Sequence, residues 1–343
     1  GTVTTTGSQL YHNAVNFVTN TTLTSSGGSN IQFNDIVDGA IDLQIDTVGT
    51  TIFNGAIGGN SPLSSLTTNA GGTTQINSGS IQTSGNQIFN DDVELGANTV
   101  LTSTGSGAIT FNQRLNGTYT LELNTDGDTT FNGTVGDTNE LASLTTDANG
   151  TTFINGGSIA TEGGQLFNDA VLLGANTVLS SSASGSVNFK STLNGAYTLN
   201  INTAGSTIFD DQVGNSAALT SLTTDASGST QINGGSIETT GDQIFHDQVE
   251  LGANTILTST SSGEITFNNT LNGSFTLNLN TDGNTTFNGT VGNNDALTSL
   301  TTDANGTTNI NGGSVATTGG QFYNDMVQLG ANTVLSSTAS GTD

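Results

Sequence analysis

The phrase LGAN begins at Leu95, Leu173, Leu251 and Leu329, a constant offset of 78 in the numbering. One more step back lands on Phe17, where YHNAVNFVTNTTLTSS matches FNDDVELGANTVLTST column by column. The 343 residues are therefore about 4.4 copies of one unit, and an internal period of this kind overrides the estimate of about two globular domains from length. The reading is one continuous segment over 1–343, with units 17–94, 95–172, 173–250 and 251–328 and partial units 1–16 and 329–343.

Hydrophobic residues make up only 32% of the chain, with 47 Gly and one Pro, so disorder has to be weighed. The apolar residues nevertheless keep to fixed columns: Phe33, Phe111, Phe189 and Phe267; Phe53, Phe131, Phe209 and Phe287; Val100, Val178, Ile256 and Val334. Each column is expected to be one interior position, used repeatedly. Inside a unit, AITFNQRL, TTFNGTV, TFINGGSI and QLFNDAV vary a single theme, an apolar residue followed by Asn. The anchors Phe111, Phe131, Ile154, Phe167 and Phe189 follow one another at intervals of 20, 23, 13 and 22. Short alternating stretches such as TLELN are joined by turn formers such as TDGD and DANG, and no stretch carries helical spacing.

Such strands could fold back as hairpins or coil in one direction. A two-residue turn at Asp126-Gly127 would set Leu123 opposite Thr130 and Phe131 opposite Glu122, matching apolar to polar residues on both faces. Coils of about 20 residues stacked like on like explain the Phe columns better. The expected fold is all-β, a parallel β-solenoid with about four coils per repeat, some 80 to 85 Å long at a strand spacing of about 4.8 Å. Asn90, Asn112, Asn132 and Asn168 would stand above one another at inward or corner positions, their amides bonded along the stack. Neither end reads as a polar capping repeat, so the segment is expected to belong to a longer array.

Few residues offer chemistry. There is no Cys, and Arg114 and Lys190 stand against 28 acids for a net charge of −26. That balance excludes nucleic acid as a partner, since phosphate binding needs Lys and Arg, and it removes the cations that catalysis on acidic polysaccharides requires. His12 and His246 occupy the column of Asn90, Asn168 and Asn324, and Lys190 and Asp210 the columns of Asn112 and Asn132; all four read as tolerated replacements of a ladder Asn. No catalytic, cofactor or metal residue is assigned. Asp91, Asp169, Asp247 and Asp325 would lie about 19 Å apart on the strand spacing, too far to share an ion. Asp126 and Asp147, in corresponding turns of adjacent coils, are the only candidates for Ca²⁺. Against them, Asp126 becomes Ala204 in the next unit and no GGxGxD motif occurs. The plainer reading is a solvated acidic surface that keeps chains apart. Paired Thr, as at Thr129-Thr130, Thr145-Thr146 and Thr151-Thr152, suits a wet β face and lacks the regularity of an ice-binding array.

The phrases TLNLNTDGNTTFNGTVG and ALTSLTTDANGTTNINGGSVATTGGQFYNDMVQLGANTVLSS resemble the repeats of large secreted bacterial proteins similar to filamentous haemagglutinin and autotransporter adhesins. The resemblance spans essentially the whole chain. It implies a right-handed parallel β-helix that serves as an extracellular or cell-surface shaft, without catalysis. A self-assembling filament, joined through solenoid ends or side faces, is the other reading. Partners would be further repeats or other copies of the chain, or surface glycans and receptors on a neighbouring cell, with no membrane insertion. Recognition of glycans would want exposed aromatics, whereas most of the 15 Phe fall in interior columns. Phe111, Phe131, Phe167, Phe189, Phe209, Phe267 and Phe287, with Asn112, Asn132 and Asn168, are thus assigned structural roles.

Overall fold

A computed structural model describes residues 1–338 as strands, turns and bends, with no helix among them. Contacts gather into two compact units, one over Gly1–Leu172 and one from Leu173 onward. Each is a parallel β-solenoid with about 22 residues per turn. The paired strands run parallel, as in Gln87–Phe89 against Ile109–Phe111 or Thr99–Ser103 against Thr120–Thr125, which rules out the hairpin alternative.

One turn of the first unit shows how the sequence builds the coil. Gln87–Phe89 lies on one sheet, Asp92–Leu95 on a second and Thr99–Ser103 on a third, before Ile109–Phe111 returns to the first. These short strands alternate inward and outward, so Gln87, Phe89, Val93, Leu95, Thr99, Leu101 and Ser103 all point into the core. Phe89, Phe111 and Phe131 stack with ring centroids 5.3 and 5.5 Å apart and planes within 13°, adding offset-stacking energy to the burial of each ring. In the second unit Phe245, Phe267 and Phe287 repeat the column at 5.3 and 5.5 Å. All seven Phe assigned from sequence are buried.

Three of the expectations are corrected. Copies of one position share an environment without lying over one another. From Thr21–Ser25 to Thr99–Ser103 the chain passes ten strands and one bridged side at Ile57 and Leu63; eleven sides at three per turn make three and two-thirds turns. Thr21–Ser25 therefore sits on one sheet, beside Thr2–Thr5, while its copy Thr99–Ser103 sits on another, beside Ser80–Thr83. The short interval among the anchors marks the incomplete turn: Phe111 pairs with Phe131 and Phe131 with Ile154, whereas Phe167, the next anchor, belongs to the strand beside Ser143–Thr146 on a different sheet.

The Val100 column is not interior. Val178 and Ile256 are 37% and 43% exposed, because Thr99, Thr177 and Thr255 point inward and strand alternation sends the next residue out. Each of these threonines fixes the parity by donating its hydroxyl to the carbonyl two positions back, as Thr99 does to Ala97 at 2.8 Å. The Thr pairs, too, are not simply a wet face: Thr129, Thr146 and Thr152 are buried while their neighbours point out.

Candidate functional site

The side chains with chemical character gather at the corners, where strands end and the backbone cannot satisfy itself. After each inward Phe the chain bends, and the following Asn reaches along the stack. Asn132 Nδ2 donates to Asn112 Oδ1 and Asn112 Nδ2 to Asn90 Oδ1, both at 2.7 Å, and Asn90 Nδ2 ends on the Thr68 carbonyl at 2.7 Å. Asn155 extends the series by donating to Asn132 Oδ1 at 2.7 Å. Asn168 does not stand above Asn132, as expected, but heads a separate ladder by donating to the Thr146 carbonyl at 2.6 Å. The reason is again the incomplete turn.

These ladders explain the Gly of LGAN, which sequence reasoning left unassigned. A Cβ at Gly96, Gly252 or Gly330 would collide with Oδ1 of the ladder amide beside it, Asn77, Asn233 or Asn311. Replacements keep the bonding along the stack. Lys190 Nζ donates to Asp210 Oδ2 at 2.6 Å, and Asn233 Nδ2 donates to Asp210 Oδ1 at 2.6 Å. His246 Nδ1 lies 2.9 Å from Asn268 Nδ2, and His12 Nδ1 lies 3.3 Å from Asn34 Nδ2. Because Asn268 Nδ2 is a donor, His246 Nδ1 serves as the acceptor.

The Asp91 column is the largest departure from the sequence reading. Asp91, Asp169 and Asp247 are each only 2% exposed rather than part of a solvated acidic surface. Each carboxylate sits inside a corner between two threonines. Thr224 Oγ1 donates to Asp247 Oδ1 at 2.8 Å, and Thr230 Oγ1 shares its proton between Oδ1 and Oδ2 at 2.9 and 3.0 Å. Thr68 and Thr74 hold Asp91 in the same way, and Thr146 and Thr152 hold Asp169. Burial penalises the charged form, so Asp247 is pushed up to about 6 in spite of the two hydroxyls, with Asp225 adding repulsion. Asp91 and Asp169 are raised for the same reason.

Asp126 and Asp147 are not a matched pair of turn carboxylates. The residue facing Asp126 is Asn149, which donates Nδ2 to Asp126 Oδ1 at 2.7 Å. Asp147 is half-buried and accepts the Thr125 backbone N–H, and burial followed by the charges of Asp169 and Asp126 pushes it up to about 6. Among the described residues no three acidic or histidine side chains converge to hold a metal.

Inside the coil, Gln243 Nε2 contacts the Ile237 carbonyl, Thr239 Oγ1 and the Thr258 carbonyl at 3.3, 3.2 and 2.9 Å. Its Oε1 is buried without a hydrogen-bond partner, as is that of Gln87. At Gln9 and Gln321 the same atom accepts a tyrosine hydroxyl, from Tyr11 at 2.9 Å and Tyr323 at 3.1 Å. Phe89 and Phe245 occupy the tyrosine position in the coils that lack this bond.

No protein-family model, curated protein or solved structure matches the chain.

Proposed function

We propose that the chain is a structural shaft, a segment of a large secreted or cell-surface protein whose task is reach rather than catalysis. One observation carries this reading: the same Phe, Asn and Asp contacts between neighbouring coils recur in one copy after another. The Phe stacks, amide ladders and Asp nodes each bind one coil to the next. Solenoid stability is then a sum of repeated nearest-neighbour terms, and length is gained by adding units. The phrases that resemble adhesin repeats support the same role and an extracellular setting. The two cationic side chains are both used in surface ion pairs, Arg114 with Asp92 and Lys190 with Asp210 at 2.6 Å, which leaves a strongly acidic exterior that favours separate chains.

Sedimentation tests the proposal. A shaft remains monomeric at high protein concentration in physiological salt and gains stability with each added repeat. Concentration-dependent growth into polymers would instead favour a filament subunit.

A further inference from the structure

The corner that follows each Leu-Thr-Thr strand carries a side chain that the shaft role does not account for. Its column reads Asn69, Asp147, Asp225 and Asp303, an amide in the first copy and a carboxyl in the next three. One coil along, 22 residues further in every case, stands the column of Asp91, Asp169, Asp247 and Asp325. Three copies therefore place two acids at one corner, and the first copy places an amide and an acid there.

The first copy shows what the corner asks of this residue. Asn69 Oδ1 accepts the Thr47 backbone N–H at 2.8 Å, and Asn69 Nδ2 donates to the Ala70 carbonyl at 3.2 Å. The later copies keep the accepting half: Asp147 takes the Thr125 N–H, Asp225 the Thr203 N–H and Asp303 the Thr281 N–H. An ionised carboxyl cannot supply the donating half, because it has no proton to give. Asp225 Oδ1 is buried with no hydrogen-bond partner, a costly state for a charged oxygen. A proton there would restore the Asn69 pattern, since a protonated Asp has one donor and one acceptor, as an amide does.

The neighbouring acid reinforces the demand. Asp247 is closed in by Thr224 and Thr230 and feels the charge of Asp225, and two coupled carboxylates in a shielded corner resist ionising together. Few other groups act on these corners. His246 is the one further charge acting on Asp225. In the preceding copy Asp169 and Asp126 act on Asp147, and Asp128 acts on Asp169. In the following copy Asp325 and Asp282 act on Asp303. Arg114 and Lys190 are paired with Asp92 and Asp210 instead, so neither offsets the charge.

We propose that Asp147 with Asp169, and Asp225 with Asp247, each hold one proton between them, so that the corner joining successive coils is a proton-binding site that recurs with the repeat. The earlier Asp of each pair carries the proton and directs it as Asn69 directs Nδ2. Acidification loads the site and closes the contact between coils. As pH rises the proton leaves, both carboxylates charge and the corner loosens. The pKa values of Asp147 and Asp225 lie above the usual aspartate range because the side chains are buried, which places the gain in stability on the acid side. The proposal is independent of the shaft reading, which needs firm corners but no titration.

The experiment uses the whole chain and two substitutions of opposite sense. Asn69→Asp builds the pair in the copy that lacks it. Asp225→Asn dismantles one pair, and because Asn already serves at this place in the first copy the coil is kept, as circular dichroism checks. Infrared difference spectra of chain with isotope-labelled aspartate, taken from mildly alkaline to mildly acidic pH, count protonated carboxyls by their carbonyl band. At about pH 6, where Asp147 and Asp247 titrate, Asn69→Asp should add up to one protonated carboxyl per chain and Asp225→Asn should remove most of one. The urea midpoint should follow. Asn69→Asp lowers it at neutral pH and regains the parent value in acid, whereas Asp225→Asn raises it at neutral pH and flattens its pH dependence; a residue that only fills space would shift it equally at every pH. Three outcomes overturn the inference: Asn69→Asp adds no protonated carboxyl, Asp225→Asn titrates as the parent does, or one equivalent of calcium chloride per pair abolishes the band and a chelator restores it. The last would make the corner a metal site.

Discussion

Replacing Phe245 with Tyr should stabilise the second unit. The phenol would enter a position that Tyr11 and Tyr323 already occupy in other coils, where their hydroxyls reach Gln9 Oε1 and Gln321 Oε1 at 2.9 and 3.1 Å. The ring plane need not change: Tyr11 stacks on Phe33 at 4.9 Å and 9°, against 5.3 Å and 14° for Phe245 on Phe267. At present Gln243 Oε1 is buried with no partner. Satisfying such an acceptor recovers about 1 to 3 kcal/mol of desolvation penalty, from which burial of the new hydroxyl subtracts part. The net expectation is about 1 kcal/mol. Solenoids can unfold in sections, so local hydrogen exchange of the amides in Gln243–Phe245 and Ile265–Phe267 is the appropriate measure, supported by urea denaturation. The gain should vanish in a Gln243→Leu background, as a double-mutant cycle requires. Destabilisation by Phe245→Tyr, or an equal gain without Gln243, would refute the idea that Gln243 Oε1 lacks a partner.

Three further outcomes follow from the corners. Ser106, Ser184 and Ser262 hold φ near +62° where the first copy has Gly28 at +70°; Ser106→Gly should relieve up to about 1 kcal/mol of left-handed strain, read from the urea midpoint. His246→Asn should let the ladder continue to the Thr224 carbonyl, as Asn90 and Asn168 reach Thr68 and Thr146, for a gain of about 0.5 to 1.5 kcal/mol in thermal unfolding. The raised carboxyl of Asp247, about 6 against 3.8, means that folding takes up a proton between those values. Its contribution is therefore full below pH 3.8 and lost as pH rises through about 6. At about 1.4 kcal/mol per unit, the shift is worth at most about 3 kcal/mol. The midpoint temperature should rise as pH is lowered from neutral to the usual pKa of an aspartate, and Asp247→Asn should flatten that rise; a profile unchanged by the substitution would exclude Asp247 as its source.

The architecture was legible because the repeat is strict and the strands alternate. Phe columns, coil length and parallel stacking all follow from the long intervals between successive anchors. The incomplete turn was visible too, as the short step from Ile154 to Phe167, but an interval alone does not say which side of a triangle it skips. Orientation at Thr99-Val100 was misread because both residues suit a strand and only the Thr hydroxyl bond to Ala97 distinguishes them. The Asp nodes were hidden for a different reason. A carboxylate spaced with polar neighbours looks solvated until Thr68 and Thr74, from two strands of the preceding coil, are seen to close over Asp91.

Three and two-thirds turns per repeat also set how such a sequence can change by recombination. Excising one copy leaves every interior column matched, so the core tolerates the loss, while each strand that follows takes its place on the next of the three sheets. Only changes in multiples of three return every strand to its own sheet; any other number changes which side chains share an outer face.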